Sequence, residues 1–286
     1  MQKLSKSLML VIILVMLSVI TSCGTNDHEE ANKIIKLGNA PYDYEGPPVE
    51  ITKKIAEEQG YEVEIIEGDV GFMFLSLVEG DVDIWPGVWL PSLHQSYHEQ
   101  YEDDYELGNV IYQSALSGLT VPEYSEIKSL DELKGNEDYF NNKIIGIEPG
   151  SGVMLRAEKF IEDYDLDFEL ISGSTSSMLA EVDYATTHEE PILFLGWRPH
   201  AMFMKYDLKG LEDPDEYFSR DYFQWGVNKN FKDNAPDMYE FVNNFSMNVE
   251  DMEVFLYELE EGADLDKLVD EWIEDNRATI DTWLEE

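Results

Sequence analysis

Ile34-Ile35-Lys36-Leu37 is an apolar run ending at Gly38, Pro47-Pro48 open a segment with Ile51 and Ile55 on one helical face, and Tyr61, Val63 and Ile65 alternate after Gly60. Strand, helix and strand in such close succession form a βαβ unit, which predicts a largely parallel sheet. The alternation then restarts. Lys143 to Ile147 reads as a strand, Gly150-Ser151-Gly152 as a tight turn, and Val153, Met154, Ala157, Phe160, Ile161 and Tyr164 as one helical stripe. Phe168 to Ile171 and Ile192 to Leu195 are further strands. Two such series in a chain of 286 residues predict two α/β lobes. The tail is helical: Asn248 to Asp251 has the pattern of a capping box, and Leu265, Leu268, Val269, Trp272 and Ile273 fall on one helical face.

The start of the chain is of another kind. Lys3 and Lys6 precede an apolar stretch from Leu8 to Ile20, and small residues lead to Cys23, the single cysteine. This is the anatomy of an export signal, too short for a span of roughly 17–25 residues. Its ending resembles the bacterial lipobox, which implies cleavage of residues 1–22 and acylation of Cys23. Residues 23–32, polar and without apolar period, read as a tether. A lone cysteine allows no internal disulfide, so stability rests on the core.

Without Lys3 and Lys6, 17 of the 19 basic residues face 61 acidic ones, a formal charge of −44. Such a surface repels phosphate backbones and anionic headgroups, which excludes nucleic acid as a partner and leaves membrane attachment to the acyl chains. With 43% hydrophobic and 12% aromatic residues, the chain has enough apolar side chains for packed cores. The charge itself suits a saline medium, where salt screens self-repulsion.

Recognisable catalytic chemistry is sparse. Five histidines without H-E-x-x-H spacing give no basis for a metal site, although His94 and His98 are four apart. Ser174-Thr175-Ser176-Ser177 has no nucleophile elbow, and Gly150-Ser151-Gly152 lacks the lysine of a phosphate loop. That glycine turn instead allows close backbone approach, either to a neighbouring strand or to a ligand at the helix N-terminus.

The tryptophans say more. Trp85 and Trp89 flank Pro86-Gly87, which reads as a turn after a strand, and Trp197 follows the strand Ile192 to Leu195 in Gly196-Trp197-Arg198-Pro199-His200. Ligands of α/β proteins gather at such strand ends. Two of them at equivalent places in two lobes point to converging walls of one cleft. A quaternary ammonium has no N–H to donate and is held by its diffuse charge against π-faces, each contact contributing about 0.5–2 kcal/mol when desolvated.

In these stretches the chain resembles the glycine betaine and proline betaine substrate-binding proteins of ABC importers. The matching segments are Gly80-Asp81-Val82-Asp83 through Trp89-Leu90-Pro91 and His94, Gly146 to Met154, and Gly196 to His200 continuing through Met202-Phe203 to Asp213-Pro214; Trp272 and Trp283 also suit the family's tail. The resemblance implies a type II periplasmic-binding-protein-like fold with ligand in the interlobe cleft. Residues 33–115 plus 228–286 would form one lobe and 122–221 the other, joined by hinge strands 116–121 and 222–227. It assigns Trp89 and Trp197 as two walls of an aromatic box. Where some members have a third tryptophan in Phe-x-Trp-Thr, this chain has Phe245-Ser246-Met247-Asn248, so Met247, Trp85 or Trp225 would supply that wall. The loop Asn39 to Pro48, which departs from the family pattern, lies where backbone N–H groups would meet a ligand carboxylate, and His200 belongs to the Trp197 motif.

The expectation is therefore an extracytoplasmic, lipid-anchored binding protein, not an enzyme. It would need no metal or cofactor and would pass a small zwitterionic quaternary amine, glycine betaine first, to an ABC importer permease. Choline, carnitine or a sulfonium compound is the alternative within the class; an enzyme on a similar scaffold and a ligand-free surface lipoprotein are the alternatives outside it.

Overall fold

In the computed structural model, which describes residues 34–113, 117–218 and 220–284, the first apolar run is strand β1 (Ile34–Asn39). Proline suits the first helical turn, where its missing N–H has no partner to lose. Helix α1 (Gly46–Glu58) accordingly starts at the proline pair and buries Ile51 and Ile55. The chain turns at Gly60 with φ of 86°, a conformation that favours glycine. Strand β2 (Glu62–Glu67) then pairs parallel to β1 with Ile65 beside Leu37, so the expected βαβ unit is present.

Helix α2 (Val70–Glu79), strand β3 (Ile84–Leu90), helix α3 (Gln95–Tyr101) and strand β4 (Tyr105–Gln113) complete this half, joined by β10 (Tyr222–Asn228) from much later in the chain. The sheet order is β2-β1-β3-β10-β4, with β1, β2 and β3 parallel and β10 antiparallel to both neighbours. The second sheet repeats the plan. Strands β5 (Ser117–Pro122), β6 (Lys143–Ile145), β7 (Glu169–Ile171), β8 (Phe194–Trp197) and β9 (Leu208–Gly210) lie in the order β7-β6-β8-β5-β9, with β6, β7 and β8 parallel and β5 antiparallel to β8 and β9. Helices α4 (Gly152–Asp163) and α5 (Thr175–His188) alternate with these strands. Each lobe thus has three parallel strands, and β3 and β8 hold the equivalent place beside the antiparallel strand. This is the two-lobed type II arrangement.

The remaining helices are α6 (Met202–Lys205), α7 (Phe231–Asn234), α8 (Pro236–Asn244), α9 (Val249–Glu260) and α10 (Leu265–Trp283). The first sheet is covered on both faces. One face packs on α1, α8, α9 and α10, where the predicted stripe buries Val269 and Ile273; the other packs on Met73, Phe74 and Leu77 of α2. A strand enclosed on both sides reads as a continuous apolar run, and β3 is buried at every position. The second lobe has its own core around Ile144, Met154, Phe160, Val182 and Phe194.

Several expectations need correcting. Pro86-Gly87 is not a turn: β3 runs straight through it, absorbing one extra residue as a β-bulge opposite Trp225. Trp85 pairs with Gly226 and Trp89 with Phe223, so the register shifts between them and the two indoles enter cores on opposite faces of the sheet. Trp197 ends β8 rather than following it, because that strand begins at Phe194. Asn248 is the N-cap of α9 but makes no side-chain cap bond, and Asp251 instead accepts from Trp272 Nε1 at 3.3 Å. A reciprocal capping box does form at Ser174 and Ser177, at the start of α5. Cys23, the signal segment, the tether and Leu116 lie outside the described residues.

Candidate functional site

The carboxyl ends of parallel strands from both lobes converge on a cleft of about 430 Å³. The end of β3 contributes Trp89, the loop after β1 contributes Tyr44, the end of β8 contributes Trp197, and the turn after β6 contributes Ser151, Gly152 and Val153. Two predicted walls are brought together by the topology alone: β3 and β8 are equivalent strands, each delivering an indole at its carboxyl end.

Trp89 is 8% exposed and held firmly. Its ring lies 4.9 Å from that of Phe223, with Tyr44 and Tyr112 edge-on at 5.6 and 5.8 Å. Its backbone N–H donates to His94 Nδ1 at 3.1 Å. Burial lowers the His94 pKa to about 4, which keeps that nitrogen an acceptor. His98 has a separate task, sharing a 2.8 Å hydrogen bond with the Tyr105 hydroxyl, and no metal-binding cluster of His, Cys, Asp or Glu occurs among the described residues.

Tyr44 supplies the third aromatic side chain at the cleft. It stands perpendicular to both Trp89 and Phe223. Burial, with Glu45 and Tyr42 adding to it, pushes its hydroxyl pKa upward, so the ring is a neutral π-surface at physiological pH. The candidates for that wall in the sequence lie elsewhere. Trp85 is fully buried and donates its indole N–H to Glu45 at 2.8 Å. Trp225 is equally buried, edge-on to Phe245. Met247 belongs to the core of the first lobe, and its backbone N–H donates to the Ile111 carbonyl at 2.8 Å. It borders a different hollow, with Tyr112, Trp272 and Trp283. The signal for Tyr44 was present in its tyrosine- and proline-rich loop at the carboxyl end of β1, but nothing local distinguishes it from Tyr42.

The N-terminus of α4 lines the same cleft. Its N-cap Ser151 makes no side-chain cap bond, its Oγ is buried without a partner, and Gly150 takes φ of 86° to turn the chain into the helix. The first turn of a helix carries N–H groups with no intrahelical acceptor and a positive partial charge. A Cβ at Gly152 would meet nothing within 4 Å, so the backbone is open to close approach there. Arg156, one turn further, also lines the cleft. The same cleft is thus lined by three aromatic side chains and by the first turn of a helix, whose N–H groups have no intrahelical acceptor.

In the loop of Asn39 to Pro48, one of the backbone N–H groups is already bonded within the loop. The Ala40 N–H is taken by the chain's own Glu45, whose Oε2 accepts it at 2.7 Å, and Glu45 is buried with its pKa raised by burial to about 8. Asn39 and His200 border a second, larger hollow of about 810 Å³ that shares Tyr44, Trp197 and Pro199 with the cleft. His200 stands edge-on to Trp197 with ring centroids 5.0 Å apart, and burial lowers its pKa. At the mouth of the cleft Asp221, just before β10, accepts from Ser92 N, Ser92 Oγ and Leu93 N at 2.8, 2.6 and 2.9 Å.

Two lobes with a cleft between equivalent strand ends, lined by aromatic side chains and a helix N-terminus, are the features of a solute-binding fold. The chain belongs to the family described as the substrate binding domain of ABC-type glycine betaine transport systems, whose pattern it matches over residues 33–275. It is 33% identical over 183 residues to the glycine betaine/carnitine transport binding protein GbuC of Listeria monocytogenes, an alignment covering 63% of this chain and 59% of that one. Lactococcal OpuAC in its closed, glycine betaine-bound form superposes with a TM-score of 0.69 at 28% identity, covering 88% of this chain and 99% of that one. The glycine betaine/L-proline-binding protein ProX of Borrelia burgdorferi gives 0.66 at 28% identity, covering 88% and 97%.

Proposed function

We propose that this chain captures glycine betaine, or a closely related zwitterionic quaternary amine, and presents it to the permease of an ABC importer. The observation that carries this reading is the cleft itself. Trp89, Tyr44 and Trp197, from three segments and both lobes, line with a helix N-terminus one space sized for a small molecule. The trimethylammonium group packs against the rings, each cation–π contact contributing about 0.5–2 kcal/mol. Its carboxylate accepts from the first-turn N–H groups of α4 and the Ser151 hydroxyl, the buried donor without a partner. Strands β5 and β10 act as the hinge, and closure removes water from both ends of the ligand, which strengthens each contact.

Cys23 is the lipid attachment site, placing the folded part outside the cytoplasm on its tether. No helix among the described residues is long and apolar enough to cross a membrane. Calorimetric titration of the purified domain with glycine betaine, proline betaine, carnitine and choline tests the reading. Tightest binding of a betaine is the expected result; choline binding more tightly would remove the carboxylate from the recognition scheme, and no binding by any of the four would refute the function.

A further inference from the structure

Immediately after the wall residue Trp197, Arg198 leaves the second lobe and reaches helix α9, whose Met252 and Phe255 belong to the core of the first lobe. Its guanidinium donates through Nε to Glu253 Oε1 at 2.6 Å and through a second nitrogen to Glu253 Oε2, and it lies 3.3 Å from Glu250 Oε1. The same guanidinium sits 5.0 Å from the Phe203 ring centroid, which fixes its plane from the lobe it comes from. Glu253 is 1% exposed. The fork of the arginine covers this enclosed carboxylate, and uncovering one partner of a buried pair is costly.

We propose that Arg198 is an interlobe latch: its pairing with Glu253 holds the two lobes closed and fixes Trp197 over the ligand. The proposal rests on the binding reading above for its ligand arm, though not for its conformational arm. When the lobes separate, both groups return to water, so the net free energy of the pair is small and its geometric demand is large. Removing one partner is different. It leaves a buried charge uncovered in the closed form alone and therefore shifts the population toward the open form. A ligand held only by the closed form loses affinity by the factor by which that form is depleted. Arg198 thus acts through Trp197 and the lobe equilibrium, as a positioning residue.

The test is stopped-flow tryptophan fluorescence on glycine betaine with Arg198→Gln, Glu253→Gln and the double variant, alongside small-angle scattering of each unliganded protein. Release should be at least tenfold faster in Arg198→Gln, with association within about twofold of the parent, and the double variant should release no faster than Arg198→Gln because the pair is then absent as a unit. Glu253→Gln, which leaves the partly exposed arginine with Glu250 as its remaining ionic partner, serves if Arg198→Gln fails to fold, and it too should release faster. Parental release rates in the folded variants, or additive effects in the double variant, would overturn the latch. If the parent binds no quaternary amine, the proposed function falls while the latch is still decided by scattering. A larger radius of gyration for Arg198→Gln, or for Glu253→Gln in its place, supports the latch, and an identical one overturns it.

Discussion

The two tryptophans at the cleft differ in how they are anchored, and truncating them should have different consequences. Trp197 is half-buried at a strand end, so Trp197→Ala should weaken betaine binding at least tenfold while shifting the melting temperature little. Trp89 is packed on Phe223, Tyr44 and Tyr112, so Trp89→Ala should lose binding and also destabilise the lobe by about 3–5 kcal/mol, the usual cost of truncating a buried aromatic. Calorimetry and thermal unfolding on the same samples separate the two effects. An equally stable Trp89→Ala would mean that its packing contributes little. Met247 offers a contrast. A tryptophan there must fit into the lobe core, so Met247→Trp should destabilise by about 1–3 kcal/mol and leave the order of ligand preference unchanged. A change in that order would return Met247 to the site.

At the scale of elements, the loop between β1 and α1 is built around a buried carboxyl group. Glu45 accepts from the Ala40 N–H and the Trp85 indole while burial lifts its pKa from 4.5 to about 8. Between those values the folded chain holds a proton that the unfolded chain has lost. This contribution to stability is fully present below about pH 4.5 and declines as pH rises to about 8. Glu45→Gln keeps an acceptor for both donors but cannot ionise. Its unfolding free energy should therefore fall less than the parent's between pH 5 and pH 8, measured by urea titration at each pH; parallel curves would show that Glu45 ionises normally. The elements themselves were legible wherever periodicity is local: β1, α1, β2, α4 and the stripe of α10 all follow from their own residues. Pro86-Gly87 was misleading because a bulge inside a central strand depends on the partner strand, and only the pairing of Trp85 with Gly226 and Trp89 with Phe223 reveals it. Tyr44 and Arg198 were illegible as site and latch for a related reason: each acquires its role from a group distant in the chain.

For the whole molecule, charge decides how stability responds to the medium. The folded part carries a large excess of carboxylates, and cations join elements: Lys54 of α1 reaches Asp266 and Asp270 of α10, and Arg277 of α10 forks onto Glu58 of α1. Such exposed pairs contribute about 0–1 kcal/mol each, far too little to offset repulsion summed over the surface. That repulsion acts on the compact state and is long-ranged in dilute buffer, where the Debye length is about 30 Å at 0.01 M salt against about 3 Å at 1 M. Screening weakens the helpful pairs as well, but the repulsive pairs outnumber them, so the net effect of salt is stabilising. The Arg198–Glu253 pair is less affected, because its carboxylate is shielded from solvent. The melting temperature of the purified domain should thus rise steeply between about 0.01 and 1 M sodium chloride. Sucrose, which is excluded from the surface without screening charge, should not reproduce the rise at low salt. Equal melting temperatures across that salt range would mean that the acidic surface exerts no net strain on the fold.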